Sequence, residues 1–241
     1  MKLIIQLVIL LSIYSCNTHE GIQVEHKGAL QNIMHEGDIS ATANLKDFEN
    51  HKGLYALGAV ESLKGEILIL DGVPYISSCE IIDSVKTNVI KSSFDAQAAL
   101  LVYSQVNNWI DIKIPFDVIT YKQLEDFIHA EAKHQGIDIE KPFPFLIEGN
   151  FDSFDWHVID WEKGDMEHSH EKHIQAGLHG TKHNTKGIVL GFYSNKHHAI
   201  YTHHTTNMHL HIKTDDNKLV GHVDDLMLGN HHNLRLPLAI E

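Results

Sequence analysis

Arginine is nearly absent from this chain: Arg235 is the only one in 241 residues, and the formal net charge is -13. A phosphate backbone needs a clustered basic face, so this balance excludes a nucleic-acid partner. Cysteine is almost as scarce, with Cys16 and Cys79 the only two. Proline is sparse, and no internal repeat or low-complexity linker breaks the chain. Its apolar runs are too short to span a bilayer as a mature helix, which takes about 20 residues. What remains is enough chain to bury a sizeable core, as one large domain or two small ones.

The longest apolar run, residues 3–11, follows Lys2 and leads into Ile13-Tyr14-Ser15-Cys16. A short apolar core with a small residue before Cys resembles a bacterial lipobox. Residues 1–16 are therefore expected to be a lipoprotein signal peptide, and the mature protein to start at Cys16. Lipid on Cys16 would anchor it outside the cytoplasm, each buried methylene adding about 0.8 kcal/mol. Cys79 would then be alone, so no intramolecular disulfide is available.

Against these scarcities stands histidine, with 21 residues in all. Most fall between His157 and His232. One stretch gives them order. In Met208-His209-Leu210-His211-Ile212, the apolar residues share one parity and the two imidazoles the other, the period of a strand with both His on one face. The polar run Thr214-Asp215-Asp216-Asn217 is expected to reverse the chain and return Gly221-His222 on a neighbouring strand. Three neutral imidazoles on two paired strands leave a fourth position open for water or substrate. That is the arrangement of catalytic zinc, so His209, His211 and His222 are the candidate Zn2+ ligands. The surplus His (His168, His170, His173, His179, His183, His197, His198, His203 and His204) reads as a solvated, metal-scavenging or pH-buffering surface.

The rest of the chain supplies a strand-rich frame. Residues 17–50 read as a tether and N-terminal segment, with a short helix or loop from Ile33, and residues 51–241 as the main domain. Residues 66–76 hold two apolar runs around Asp71-Gly72, a hairpin with a type I′ turn. Residues 96–106 and 109–114 continue as strands. Thr120 and Gln123 form a capping box for a helix carrying Leu124, Phe127, Ile128 and Ala132, ended by Gly136. Residues 143–147 read as a buried strand, 148–151 as a turn and 152–186 as an irregular His-rich crossing; residues 187–193 form the next core strand. Strands dominate, with one clear helix, so the class is α+β.

Several stretches together resemble acetolactate decarboxylase, in the family's order. They are Leu57-Gly58, Gly65-Glu66 with the Asp71-Gly72 hairpin, and Ile147-Glu148-Gly149-Asn150-Phe151. After these come residues 187–192, His209-Leu210-His211, Gly221-His222-Val223 with Asp225, and Asn233-Leu234-Arg235-Leu236-Pro237. The resemblance implies two β-sheet-rich halves of mixed strands, a zinc held by three His at their junction, and a possible homodimer. It also implies a small-molecule substrate, 2-acetolactate, losing carbon dioxide to give acetoin, with Glu66 at the position of a proton-transferring carboxylate. Two departures stand out. The family carries an arginine where this chain has Leu146; no other arginine is free to replace it, and His157 is the nearest substitute. The family also continues into a tail with a second glutamate, where this chain has only Glu241. Two alternatives follow: a zinc-binding relative with altered or lost chemistry, or an extracytoplasmic His-rich metal-binding lipoprotein.

Overall fold

A computed structural model describes residues 21–238; Cys16, with the rest of the expected signal segment, and Glu241 lie outside the described residues. The first half contains strand β1 (Val24–Lys27), helix α1 (Leu30–Glu36), β2 (Ala43–Asn44), β3 (Leu54–Val60), β4 (Glu66–Leu70), β5 (Val73–Ile82), β6 (Val85–Lys91) and β7 (Gln97–Gln105). These strands build a seven-stranded sheet ordered β1-β7-β3-β4-β5-β6, with β2 also on β7. The second half contains β8 (Trp109–Lys113), α2 (Tyr121–His134), β9 (Phe143–Val158), α3 (His170–Ala176), β10 (Leu178–Tyr193), β11 (Met208–Thr214), β12 (Val220–Leu228) and β13 (Asn233–Pro237). Its sheet is six-stranded, in the order β10-β11-β12-β9-β13-β8, and a further β9–β10 pairing closes β9, β10, β11 and β12 into a ring.

The expectation of two sheet-rich halves with few helices holds. That of mixed strands needs correction, because every named strand pair runs antiparallel. Many sheet neighbours are joined by hairpin turns, too short for the crossover that parallel pairing requires. The β4–β5 turn shows why the hairpin was legible: Asp71 and Gly72 both take positive φ, 49° and 75°, as a type I′ turn demands. Helix α2 starts as expected. The Thr120 side chain accepts from the Gln123 N–H and the Gln123 side chain accepts from the Thr120 N–H, closing both sides of the capping box.

The stretch from 143 to 186 differs most from expectation. There is no turn at 148–151, and most of 152–186 is not irregular. Strand β9 runs unbroken to Val158 and pairs along its length with β10, which begins at Leu178. Much of β10 before Gly187 is solvent-exposed, so no apolar alternation marks it. A two-stranded ladder satisfies its backbone groups whatever its side chains are, and polar residues suffice there. Likewise, residues 24–27 of the expected tether pair with β7 as an edge strand of the first sheet.

The two sheets meet across an apolar layer in which Leu57, Leu68 and Leu100 of the first pack with Leu146, Leu190, Phe192 and Val220 of the second. Fully burying side chains of this size stabilises by about 1.5–3 kcal/mol each, enough to hold the sheets face to face. A second core fills the ring behind them, where Leu124, Ile128 and Ala132 of α2 lie against Phe143, Phe145, Leu210 and Ile212. The polar site occupies the inter-sheet face, beside the apolar layer.

Candidate functional site

Antiparallel register assembles the site. His211 on β11 lies directly opposite His222 on β12, and His222 lies opposite His157 on β9, so one row of imidazoles crosses three strands. His209 joins the row from two residues before His211, on the same face. Gly221 permits the approach, since a Cβ there would meet the His157 carbonyl at 2.7 Å. One nitrogen each from His209, His211 and His222 lies within 4.8 Å of the others. The structure thus brings together the three ligands expected from the alternation and the return turn.

The donor set fits a metal ion. The Nε2 atoms of His209 and His211 are 3.2 Å apart. At zinc–imidazole bond lengths of about 2.0–2.1 Å, that spacing subtends an angle of roughly 100° at a shared ion, close to tetrahedral. Burial pushes the His209 imidazole down to about 3, and holds His211 and His222 well below the usual histidine range. All three rings are therefore neutral at pH 7 and can offer a lone pair. The carbonyls of Tyr201 and Ile67 stand beside His209 and His211, but the buried Nδ1 atoms of these two rings complete no hydrogen bond.

Glu66 opens β4 and faces the triad from the first sheet. Its side chain is buried rather than exposed at a strand entry, and its Oε2 lies 3.7 Å from His211 Nε2. Oε1 accepts from the Ile159 N–H at 3.1 Å and sits 3.9 Å from His157 Nε2. Burial raises the Glu66 carboxyl to about 7, against the opposing pull of His157 and the Ile159 hydrogen bond. His157 in turn donates from Nδ1 to both Asp224 oxygens, at 2.9 and 3.1 Å. Burial alone would lower its pKa, but the hydrogen bond and charge of Asp224, with Glu66 behind, hold it raised. A buried carboxyl and a buried imidazole thus face each other with their proton affinities drawn together, a pairing suited to moving a proton.

Sequence reasoning named His157 and missed Asp224. Asp224 stands two residues after His222 on β12, so the alternation that puts His209 and His211 on one face also puts it on the face of the row, and that parity is the signal that could have found it. Leu146 does not line the cavity beside the triad. It lies opposite Leu190 and Arg235 in the strands and is buried in the inter-sheet apolar layer.

Above the triad opens a cavity of about 460 Å³. Helix α1 supplies one wall through Leu30, Ile33 and Met34, and hydrogen bonds from the Leu30 and Gln31 N–H groups to the Ile200 and Ala199 carbonyls pin it there. Tyr121 and Glu125 of α2 brace the approach to β11: Glu125 accepts from the Asn207 N–H at 2.6 Å, and Tyr121 accepts from the Thr206 hydroxyl at 3.2 Å. No Lys or Arg lines the cavity among the described residues.

A family model described as alpha-acetolactate decarboxylase matches residues 26–237. Among solved structures, the acetolactate decarboxylase of Bacillus subtilis strain 168 superposes with a TM-score of 0.68 at 16% identity, covering 90% of this chain and 86% of that one. The enzyme of Bacillus subtilis subspecies spizizenii gives 0.67 at 16% identity, over 89% and 86% of the two chains. A Staphylococcus aureus protein described as of unknown function and similar to alpha-acetolactate decarboxylase gives 0.67 at 14% identity, over 90% and 86%. At these identities the likeness establishes the fold. The search of curated proteins returned no match.

Proposed function

The chain belongs to the alpha-acetolactate decarboxylase family, and from that premise we propose that it is a zinc-dependent lyase converting 2-acetolactate to acetoin and carbon dioxide. The observation that carries the reading is the convergence of the His209, His211 and His222 nitrogens within 4.8 Å, at a cavity lined by His209, His222 and Glu66. Held by these rings, a zinc ion would polarise the substrate's ketone and hydroxyl oxygens and stabilise the charge left when the carbon–carbon bond breaks. Glu66 shuttles the proton. Its carboxyl, raised to about 7 by burial, can take a proton from the substrate hydroxyl and return one to carbon. His157, steadied by Asp224, places a second proton donor across from Glu66. Leu30, Ile33 and Met34 of α1 give the cavity an apolar wall.

Loss of carbon dioxide leaves an electron pair on the former α-carbon, and one proton delivered there balances the reaction. The assay is acetoin formation from racemic acetolactate by zinc-loaded protein; no acetoin with zinc bound would overturn this reading. A relative with altered chemistry is the second reading, favoured by the cavity's lack of Lys and Arg among the described residues. We also place the protein outside the cytoplasm, lipid-anchored through Cys16. Cys16→Ser should move it from the membrane to the soluble fraction, and a mature product retaining Met1 would refute the anchor.

A further inference from the structure

The cavity changes character along the first sheet. Around the triad it is polar, with His157, His209, His222, Glu66 and Asp224 on its lining. Away from Glu66 it turns apolar, and strand register builds that surface. Glu66 on β4 lies opposite Ala59 on β3, and Ala59 lies opposite Leu100 on β7. Residues directly opposite in an antiparallel pair share a face, and all three line the cavity as one row. Paired strands stand about 4.8 Å apart, so the row leads from Glu66 to a point about 9–10 Å away. Ala59, in its middle, contributes only a methyl group. At the far end Leu100 packs with Ile33 and Leu63 in one buried cluster, and Leu30 and Ala59 lie against it. Met34 extends the same wall.

We propose that this row is an alkyl-chain subsite, and that the acid taken here is a 2-hydroxy-3-oxo acid bearing an apolar chain longer than ethyl. The inference rests on the proposed reaction for the polar head of the substrate and adds its tail. 2-Acetolactate carries only methyl groups beside its oxygens and would leave the far end of the row uncovered. A cavity of about 460 Å³ falls among the pockets of roughly 300–1,000 Å³ that take up much larger ligands. With the substrate's oxygens at the triad, a chain leaving the reacting carbon past Glu66 runs over Ala59 toward Leu100, Ile33 and Leu63. Its apolar surface and theirs leave water together. The wall is in place beforehand, because the Leu30 and Gln31 N–H groups donate to the Ile200 and Ala199 carbonyls, both at 2.8 Å. A preformed wall spares the chain the cost of ordering α1.

The test uses acids that cannot react. 2-Hydroxy-2-methylalkanoates keep the hydroxyl and the carboxylate but lack the ketone, so they lose no carbon dioxide and binding is read by itself. Calorimetric titration of zinc-loaded protein with the series from propanoate to heptanoate should show affinity rising about 4-fold for each added methylene, the effect of burying one. Ala59→Leu fills the middle of the row and should flatten that rise. Met34→Gln puts an amide into the wall and should reduce it. A wild-type series that does not rise, or an equally steep one in Ala59→Leu, overturns the subsite. Met34→Gln keeps the test open should Ala59→Leu not fold, since an unreduced rise there overturns the subsite as well. A rising series in protein that makes no acetoin supports the subsite and refutes the proposed reaction; acetoin formed alongside a flat series does the reverse.

Discussion

Replacing Glu66 by Gln should make the metal-free protein more stable while disabling the reaction. The Glu66 carboxyl is raised from its ordinary 4.5 to about 7, chiefly by burial. Holding it ionised in the folded chain therefore costs about 3 kcal/mol. The sign follows from where each state ionises. Below pH 4.5 both folded and unfolded chains keep the proton and Glu66 contributes nothing. Between 4.5 and 7 the unfolded chain ionises first, so stability falls as pH rises, and the full loss is present above 7. Glutamine is neutral throughout and can still accept from the Ile159 N–H that Oε1 now accepts at 3.1 Å. Urea denaturation with chelator present should then show Glu66→Gln more stable by about 3 kcal/mol at pH 8, shrinking to below about 1 kcal/mol near pH 5. For a domain of this size, that is a midpoint rise of roughly 6–12 °C. With zinc restored, turnover should fall by about 100- to 10,000-fold, since proton transfer is lost and no ligand is. A variant less stable than wild type at pH 8 would refute the reasoning, because it would mean that His157 already compensates the buried charge.

Asp224→Asn should lower acetoin formation by about 10- to 100-fold, with zinc still bound, because His157 loses the charged acceptor of its Nδ1 proton; elemental analysis alongside the rate checks it. Leu146→Arg should destabilise by about 3–5 kcal/mol, as an unpaired charge placed in the inter-sheet layer where Leu146 is 3% exposed, and thermal unfolding would show it. It should not raise activity. The triad should make metal-free protein acid-sensitive. His209 protonates near 6.5 when unfolded but is pushed down to about 3 when folded, so stability present above 6.5 is lost as pH falls through that window, which denaturation midpoints across pH would follow.

The parts of the fold that were legible in sequence are those where local chemistry leaves little choice. Asp71-Gly72 must take positive φ at both positions, Thr120 with Gln123 must cap a helix, and the parity of His209 and His211 puts both on one face. The illegible part was the β9–β10 ribbon. Its outer half is polar on exposed faces, so the ladder depends on backbone partners distant in sequence rather than on any pattern of its own. The cavity walls were illegible for a related reason. A short helix or loop was expected from Ile33, but α1 is seven residues long with Ile33 its only buried side chain, too little periodicity to fix its start at Leu30 or its place on the cavity.

The same contrast explains what happened to the missing cation. The family resemblance implies an arginine at the position of Leu146, and Leu146 lies in the middle of an apolar layer. A lost charge need not be restored at the same residue. His157 enters the site from the far end of β9, past the point where a turn was expected, and only the unbroken strand puts it opposite His222. Asp224 then raises its proton affinity from two residues past His222 on β12. A guanidinium is charged at any working pH and binds a carboxylate with two parallel hydrogen bonds, whereas an imidazole is a cation only while protonated and offers one hydrogen bond from each nitrogen. In the proposed reaction, the substitution therefore exchanges a fixed clamp for a group that can also donate its proton. In that reaction Glu66 and His157 share the charge and the proton between them.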